Sequence, residues 1–252
     1  RGPVSPSMND QCGMLVRGYD SPPVFLMLYN PPYYNDLVRN YGHRIGQELL
    51  AWYIDQTLID IERLRRIAAH VMKREELTVR ILDMKHFDRD IEIIRDIYNK
   101  AWEKNWGFVP MTDKEFDMLA KSLKPIANPH YVYFVEDRNK RTVGFSLSLP
   151  DVNQALKHVN GNPFSPIGLL KYLWYSRNIT MVRTIVMGVL PEYRNKGIDS
   201  IMNVQIADYG GQHGVFASEM SWVLKANEAM SKLAQVIGGK PYKEYIIYEA
   251  DI

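Results

Sequence analysis

The sequence has few of the residues that build disulfide frameworks or metal clusters. Cys12 is the only cysteine among 252 residues, which excludes an internal disulfide and a thiolate metal cluster. The six histidines, at positions 43, 70, 86, 130, 158 and 213, lack the close spacing of a zinc site. We therefore expect no metal cofactor. The low cysteine content fits the reducing conditions of a cytoplasmic protein.

Long apolar runs and an excess of one charge are also missing. No segment reaches the roughly 18 consecutive apolar residues of a membrane span, and no signal-peptide pattern is visible at the start. The 31 Lys and Arg residues nearly balance the 29 Asp and Glu residues, which gives a net charge of +2 and does not indicate nucleic-acid binding. Walker-type phosphate loops and Gly-x-Ser-x-Gly elbows are absent as well. We expect neither a membrane nor a nucleic acid as partner.

What the sequence does contain is an alternation of strand and helix patterns. Residues 56–76 have apolar residues at helical spacing, with Arg63, Arg65 and Arg66 between them. Because acidic residues dilute this charge, the segment is interpreted as an amphipathic connecting helix rather than an RNA or lipid site. From Leu77 onward, strands and helices alternate to the end of the chain. This pattern predicts a mixed α/β (α+β) domain.

One stretch, residues 187–200 (MGVLPEYRNKGIDS), has the chemistry of an anion site. It is predicted to run from a buried strand through a basic turn into a helix. The free N–H groups at a helix start and the positive end of the helix dipole attract anions. Arg194 and Lys196 add positive charge, and Gly197 allows a phosphate to approach the backbone closely. The stretch suits a pyrophosphate.

This stretch resembles the signature of the GNAT superfamily of acyl-CoA-dependent N-acyltransferases. That signature is a strand ending in Val-x-Pro, followed by Gln/Arg-x-x-Gly-x-Gly/Ala at the start of a helix. Here Val189-Leu-Pro191 precedes Arg194-Asn-Lys-Gly197-Ile-Asp199, and the departure is Asp199, where a small residue is usual. The runs 105–110, 149–154 and 242–249 are similar to those of bacterial GNAT-like proteins of uncharacterised substrate.

The resemblance implies a GNAT fold with a mixed, mostly antiparallel sheet flanked by helices. It also implies acetyl-CoA or another acyl-CoA as co-substrate and a small-molecule amine, or an amino-acid-like amine, as acceptor. Backbone amides near Gly188 to Leu190 are expected to polarise the thioester carbonyl. The residues expected to bind the cofactor are Gly188, Val189, Leu190, Arg194, Asn195, Lys196, Gly197, Ile198, Asp199 and the helix-starting Asn227.

Glu219 is the best candidate for the base that removes the amine proton. Its apolar neighbours on a predicted strand would raise its pKa, whereas Glu192 is expected to be solvated. Many GNAT members place a tyrosine general acid where this chain has Ala234, so Tyr193, Tyr242 or water would have to take that role. The alternative function is a degenerate GNAT module that binds acyl-CoA or a protein partner without turnover.

The acceptor pocket is expected to involve Trp106, Phe108, Asp151 and Asn153. Asp151 could hold a cationic amine or cap the following helix, and Trp106 could contact the acceptor or fill the core. The apolar stretch 164–175 could line an acyl tunnel, although core or interface packing is the more ordinary interpretation.

The length of the chain suggests one complete domain with part of another. Residues 77–252 account for a complete GNAT domain, 56–76 for a connecting helix, and 1–55 for the C-terminal remnant of a second GNAT-like domain. Asn30 and Gly42 have the same spacing as Asn227 and Gly239, which supports a partial repeat. Strands exposed in such a remnant would pack on the complete domain or on a second copy, giving a homodimer.

Overall fold

A computed structural model describes residues 1–5, 7–103, 105–159 and 161–250. The last two residues of the predicted 77–252 domain, Asp251 and Ile252, lie outside this part. The strands are β1 (Val4–Ser5), β2 (Gln11–Cys12), β3 (Met14–Arg17), β4 (Arg44–Asp55), β5 (Thr78–Ile81), β6 (Val132–Glu136), β7 (Thr142–Pro150), β8 (Met181–Val189), β9 (Ala217–Leu224) and β10 (Lys240–Glu249). The helices are α1 (Tyr33–Asn40), α2 (Ile61–Arg74), α3 (Phe87–Trp102), α4 (Asp113–Leu123), α5 (Asn153–Leu156), α6 (Pro166–Tyr175), α7 (Ile198–Gln212) and α8 (Glu228–Val236).

The chain divides into two compact units, each built from separate stretches of sequence. The first unit comprises residues 1–58, 151–183 and 217–252, and the second comprises residues 59–150 and 184–216. Strand β8 begins in the first unit and ends in the second. The predicted boundaries at residues 55 and 76 therefore do not coincide with the compact units.

The sheet of the first unit contains a strand from the N-terminal quarter of the chain between two strands from its C-terminal end. Its order is β3-β10-β4-β9. Strand β4 pairs antiparallel with β9 from Leu49↔Leu224 to Asp55↔Ala217. It also pairs antiparallel with β10 from Arg44↔Glu249 to Tyr53↔Lys240. Residues 44–55 thus form hydrogen bonds with strands on both sides. That residues 1–55 are the remnant of a second GNAT-like domain stays a prediction.

Residues 20–43 differ from their predicted structure. The apolar run Val24 to Tyr29 predicts a buried strand, and this prediction is wrong, because Leu26 has a φ of 63° and the segment turns there. Asn30, followed by two prolines, predicts the N-cap of a helix that ends before Gly42. The N-cap is wrong as well, because Asn30 Oδ1 accepts a hydrogen bond from the Leu15 amide at 2.7 Å and α1 begins only after Pro32. The helix does end before Gly42, which has a φ of 95°.

The second unit contains the antiparallel strands β5, β6 and β7, with pairs such as Val79↔Val135 and Phe134↔Phe145. Helix α2 begins at Asp60, whose side chain accepts the Arg63 amide hydrogen bond, and it packs against α7. Thr112 with Glu115 three positions later predicts a capping box, and the structure has this capping box at the start of α4. The segment predicted as a connecting helix is therefore an integral part of this unit.

The core of the second unit lies between its strands and helices α3 and α4. Its buried members are Leu82, Phe87, Ile94, Ile97, Phe116, Ala120, Val132, Phe134, Phe145 and Leu190. These side chains occupy the periodic apolar positions that predicted the elements. The predicted fold class, a mixed sheet flanked by helices, is confirmed.

Candidate functional site

The first candidate site is the turn that leads from β8 into α7. After β8 the chain forms a 3₁₀ turn over Pro191–Tyr193, and α7 begins at Ile198. Asn195 and Gly197 have φ values of 59° and 84°, a left-handed conformation that asparagine and glycine adopt most readily. The first N–H groups of a helix have no partner within the helix. At the start of α7 the Ser200 amide donates to the Gly197 carbonyl oxygen at 3.1 Å, and anion binding by the remaining amides of this turn stays a prediction.

The two predicted cations of this turn both have partners within the second unit. Arg194 donates a hydrogen bond to the Ala101 carbonyl oxygen at 2.7 Å. The Lys196 ammonium lies 2.8 Å from the Glu75 carboxylate, and Arg74 donates to the Lys196 carbonyl oxygen at 3.0 Å. Hydrogen bonds from Lys196 and Arg74 lower the pKa of Glu75.

Arg74 and Glu75 are members of this site that the sequence did not reveal. They lie at the C-terminal end of α2, about 120 positions before the turn, which is why neither spacing nor composition connects them with it. The only signal was the run of basic residues in that helix, which was interpreted as a solvated face.

The second candidate site is a buried polar cluster in the first unit, centred on Glu219 of β9. Glu219 and Arg183 are buried, with side-chain exposures of 0% and 2%. Arg183 Nε lies 3.7 Å from Glu219 Oε1. One Glu219 oxygen accepts a hydrogen bond from Ser221 at 2.5 Å. The other accepts a hydrogen bond from the Tyr242 hydroxyl. We call these four side chains the Glu219 cluster.

Arg183 is held in place by the surrounding backbone as well as by charge. Its Nε donates to Ser221 Oγ at 2.9 Å, and its terminal nitrogens donate to the carbonyl oxygens of Phe25 and Ser221 at 3.0 and 3.2 Å. Its guanidinium lies 4.9 Å from the centre of the Trp222 ring. The sequence missed this residue, although an arginine inside a predicted buried strand was a signal that it has a buried partner.

Burial raises the pKa of Glu219, and Arg183, Ser221 and Tyr242 oppose that shift. Burial and the neighbouring Glu219 raise the pKa of Tyr242. Because Glu219 is fully buried and Tyr242 is only half-buried, the Tyr242 hydroxyl is the member of this pair nearer to the surface. A proton reaching Glu219 along these hydrogen bonds would pass through Tyr242.

No protein-family model matches this sequence. Solved structures share its arrangement of strands and helices. A GCN5-related N-acetyltransferase from Sphaerobacter thermophilus aligns with a TM-score of 0.55 at 12% identity, covering 93% of this chain and 57% of that one. A tandem GNAT protein from the clavulanic acid biosynthesis pathway aligns with a TM-score of 0.53 at 10% identity, covering 94% of this chain and 63% of that one. This chain has the GNAT fold.

Two curated proteins are similar in sequence along almost the whole of this GNAT-fold chain. Protein YghO of Escherichia coli is 32% identical over 258 residues, covering 100% of this chain. A bacterial ceramide synthase of Caulobacter vibrioides is 34% identical over 257 residues, covering 98% of this chain. The chain spans 65% of the length of each of these relatives.

Among the predicted carbonyl-polarising amides of the GNAT fold, that of Leu190 is already used. It donates to the Val143 carbonyl oxygen at 2.9 Å, so this part of the prediction is corrected, and Gly188 and Val189 remain candidates. A Cβ on Gly188 would lie 2.7 Å from the Trp102 ring, so only glycine fits there without a shift of that ring. Ile198, the first residue of α7, is buried.

Asp199, the departure from the GNAT signature, is half-buried. Burial raises the pKa of its carboxyl group, and its own backbone amide opposes that shift. A raised pKa reduces the fraction of Asp199 that is ionised and with it the repulsion of a pyrophosphate.

The predicted general acid and two predicted acceptor contacts lie in the second unit. The Tyr193 hydroxyl donates to Asp137 at 3.4 Å, and the Lys196 ammonium lies 4.7 Å from the Tyr193 ring centre. The Phe108 ring lies 5.7 Å from that of Tyr98, and Trp106 is half-buried. Their roles in catalysis and acceptor binding stay predictions.

The other predicted contacts lie in the first unit. The Asp151 carboxylate accepts the Phe25 amide hydrogen bond at 2.9 Å, and Asn153 donates to the Pro23 carbonyl oxygen at 3.0 Å. Both side chains thus hold the segment before α1, and an acceptor-binding role stays a prediction. Asn227 starts α8, as predicted, by accepting the Met230 amide hydrogen bond at 3.2 Å.

Within the ranges that the structure describes, no group of three or more His, Cys, Asp or Glu side chains is arranged to hold a metal ion. The helices in those ranges also include none with the length and apolar character needed to cross a bilayer.

Proposed function

We propose that this chain is an N-acyltransferase that moves an acyl group from acyl-CoA to an amine. The observation that carries the proposal is the pair formed by fully buried Glu219 and half-buried Tyr242, in a chain with the GNAT fold. A carboxylate with a raised pKa is a stronger base than an exposed one, which suits it to accept the amine proton.

The donor would bind at the turn before α7. Free N–H groups at the helix start would donate to the pyrophosphate of CoA, and Arg194 and Lys196 would add positive charge. Lys196 would exchange its contact with Glu75 for a contact with the phosphate. Asn227 starts the helix that the GNAT resemblance assigns to CoA binding. The donor is acetyl-CoA or a longer acyl-CoA.

In the reaction, the neutral amine nitrogen attacks the thioester carbonyl carbon and forms a C–N bond. The C–S bond then breaks, and CoA leaves as a thiolate. Tyr242 takes a proton from the amine nitrogen while its own proton passes to Glu219, so the nitrogen becomes a neutral amide. The thiolate is protonated by Tyr193 or by water. The amides of Gly188 and Val189 would stabilise the oxyanion.

The similarity to the bacterial ceramide synthase favours a long-chain acceptor. A ceramide is the amide of a fatty acid with a long-chain amino alcohol, so its synthesis includes the acyl transfer described above. We propose a long-chain amino alcohol as the preferred acceptor, ahead of the small or amino-acid-like amine that the sequence suggested. This choice rests on a relative of which the chain spans 65%.

A matrix of donors and acceptors tests the proposal. Acetyl-CoA and palmitoyl-CoA are each incubated with a small primary amine, an amino acid and sphinganine, and free thiol and amide are measured by absorbance and mass spectrometry. Amide formation with sphinganine supports the proposed acceptor. Amide formation with small amines alone would contradict the acceptor and keep the reaction, and no amide with any pair would contradict the reaction.

Replacement of Glu219 by Gln tests the base directly. We expect the rate to fall about 10²- to 10⁴-fold, with CoA affinity nearly unchanged. Because burial raises the pKa of Glu219 from its ordinary value of 4.5, the wild-type rate should decline with falling pH through a midpoint above 4.5. This decline should be missing in the variant.

Tyr242→Phe keeps the ion pair of Arg183 and Glu219 and removes only the relay. We expect this variant to lower the rate by about the same factor as Glu219→Gln does. The matched control is Tyr53→Phe, since the Tyr53 ring lies 5.8 Å from that of Tyr242 and is exposed. Equal losses in the Tyr53 and Tyr242 variants would contradict the relay.

The second candidate function is a module that binds acyl-CoA without turnover. It is favoured by Ala234, which is completely buried and stands where many GNAT members have a tyrosine. Calorimetric binding of acyl-CoA without thiol release across the whole matrix would support this function over the first.

A further inference from the structure

Helix α6, in the first unit, directs its apolar side chains outward. In most surface helices the apolar face is buried against the protein. Here the large apolar residues on and just before the helix are between half and almost completely exposed: Phe164 93%, Ile167 70%, Leu169 50%, Leu170 69%, Leu173 51% and Trp174 65%. Core packing, one of the interpretations that the sequence suggested for this stretch, is therefore wrong.

The inward face of α6 is fixed to its own unit. Ser165 caps the helix by accepting the Gly168 amide hydrogen bond at 3.0 Å. Gly168 is buried so tightly that a Cβ there would lie 2.0 Å from the Asn162 carbonyl oxygen. At the other end, the Tyr175 ring stacks on His158 at 3.9 Å. The helix is anchored, and its exposed apolar face is a property of the folded unit.

The stretch of sequence that contains this face has charge of one sign. No Asp or Glu occurs between positions 152 and 191, whereas Lys157, Lys171 and Arg177 lie within that stretch. Lys157 and Arg177 are exposed, and Lys171 is half-buried on the helix itself. We call these three residues the cationic border. In a protein with a net charge of only +2, the exposed apolar helix is thus flanked in sequence by cations and by no acidic residue.

Apolar side chains bordered by cations and aromatic rings are what an anionic lipid surface attracts. The apolar groups enter the boundary between headgroups and acyl chains, while Lys and Arg meet the lipid phosphates. Tyr172, Trp174 and Tyr175 have the amphipathic rings that are enriched at this depth. A patch of this kind on a soluble surface marks an interaction site.

We propose that α6 and Phe164 form a membrane-docking face that lies on an anionic bilayer. With 10 residues, α6 is half the length of a spanning helix, so it would lie in the plane of the surface. This inference opposes the expectation of no membrane partner, which rested on the absence of a long apolar run. It does not depend on the acyl transfer, because docking requires no substrate.

Sedimentation with vesicles tests the proposal without acyl-CoA or acceptor. The full chain is mixed with vesicles of phosphatidylglycerol and phosphatidylcholine, and separately with phosphatidylcholine alone. We expect stronger binding to the anionic vesicles, with a shift of Trp emission to shorter wavelength. The double variant Leu170→Glu/Trp174→Glu should bind at least about tenfold more weakly.

Two controls separate docking from folding and from general surface charge. Met118→Glu introduces the same charge at a residue of α4 that is 72% exposed, and it should bind as the wild type does. Lys157→Glu/Arg177→Glu reverses two of the three charges of the cationic border and leaves the apolar side chains unchanged. It should weaken binding to anionic vesicles about fivefold or more for each charge. This second variant also tests the proposal if the apolar double variant does not fold.

The outcomes that overturn the proposal are distinct. Wild-type protein that binds no vesicles, or an α6 variant that binds as well as Met118→Glu, would contradict docking. A wild-type dimer that the α6 variant converts to a monomer, without vesicle binding, would assign the face to a second copy of the chain instead.

Discussion

In the first unit the charges of Arg183 and Glu219 lie in the interior, at side-chain exposures of 2% and 0%, whereas in the second unit Lys196 and Glu75 pair near the surface, at 36% and 18%. The interior pair is surrounded by Ser221, Tyr242 and backbone carbonyl groups, so each charge depends on particular partners. The second pair is partly exposed, so solvent screens it. A buried charge pair shifts the pKa of its members, whereas a partly exposed pair contributes little to stability, which leaves Lys196 available for the proposed contact with an anion.

Arg183→Met should produce the largest loss of stability, because it leaves Glu219 buried without its opposite charge. We expect about 3–5 kcal/mol less free energy of unfolding at pH 7, measured by urea denaturation. Part of the loss should be regained as the pH falls, since loss of Arg183 raises the pKa of Glu219 further and a protonated Glu219 needs no counter-ion. Arg177→Met, at an exposed position, is the control and should change stability by less than about 0.5 kcal/mol. Similar losses of stability in both variants would contradict the larger contribution of the buried ion pair.

Gly197→Ala should have an intermediate effect, because it acts on the backbone of the turn rather than on a charge. The φ of 84° is unfavourable for alanine, and the new Cβ would lie 3.2 Å from Val71. We expect a loss of about 1–2 kcal/mol, together with weaker acyl-CoA binding by calorimetry. Gly211→Ala is a control within α7, where nothing lies within 4 Å of a new Cβ, and it should stabilise by about 0.5–1 kcal/mol. Equal effects of the two changes would contradict the importance of the left-handed conformation.

Lys196→Gln should have the smallest effect on stability, within about 0.5 kcal/mol, because the pair with Glu75 is partly exposed. Its effect should be visible in binding. The dissociation constant for acyl-CoA should rise about five- to tenfold at low salt, and less at high salt where the charge is screened. Lys232→Gln, at a side chain that is 75% exposed, is the matched control. A dissociation constant that does not change, or that changes equally at low and high salt, would contradict a contact between Lys196 and the bound anion.

Much of the second unit could be predicted because its signals are local. The Thr112 and Glu115 capping box, the strand before residue 190 and the helix after Gly197 each depend on residues within a few positions of one another. The same holds for the Asn227 cap of α8. Short-range hydrogen bonds and periodic burial can be predicted directly from the sequence.

The failures concern contacts between residues that are far apart in the chain. The segment around Phe25 was expected to be a strand, but its backbone is held by Asp151 and Arg183, which are more than 120 positions away. For the apolar stretch 164–175 the sequence predicted core or interface packing, or an acyl tunnel. Composition shows that a residue is apolar and does not show which way it faces. Arg74 was missed because its contact with the Lys196 carbonyl oxygen joins residues that are 122 positions apart.

The sequence by itself determined the element types over most of the chain. It also singled out the turn at residues 194–197 as a candidate anion site and Glu219 as a candidate base. Only the tertiary structure decided that β4 lies between β9 and β10, that Arg183 and Tyr242 hold Glu219, and that α6 faces outward. The physical reason is that capping, turn geometry and hydrophobic period act over a few residues. Strand order, the partner of a buried charge and the orientation of a helix depend instead on which distant segments meet.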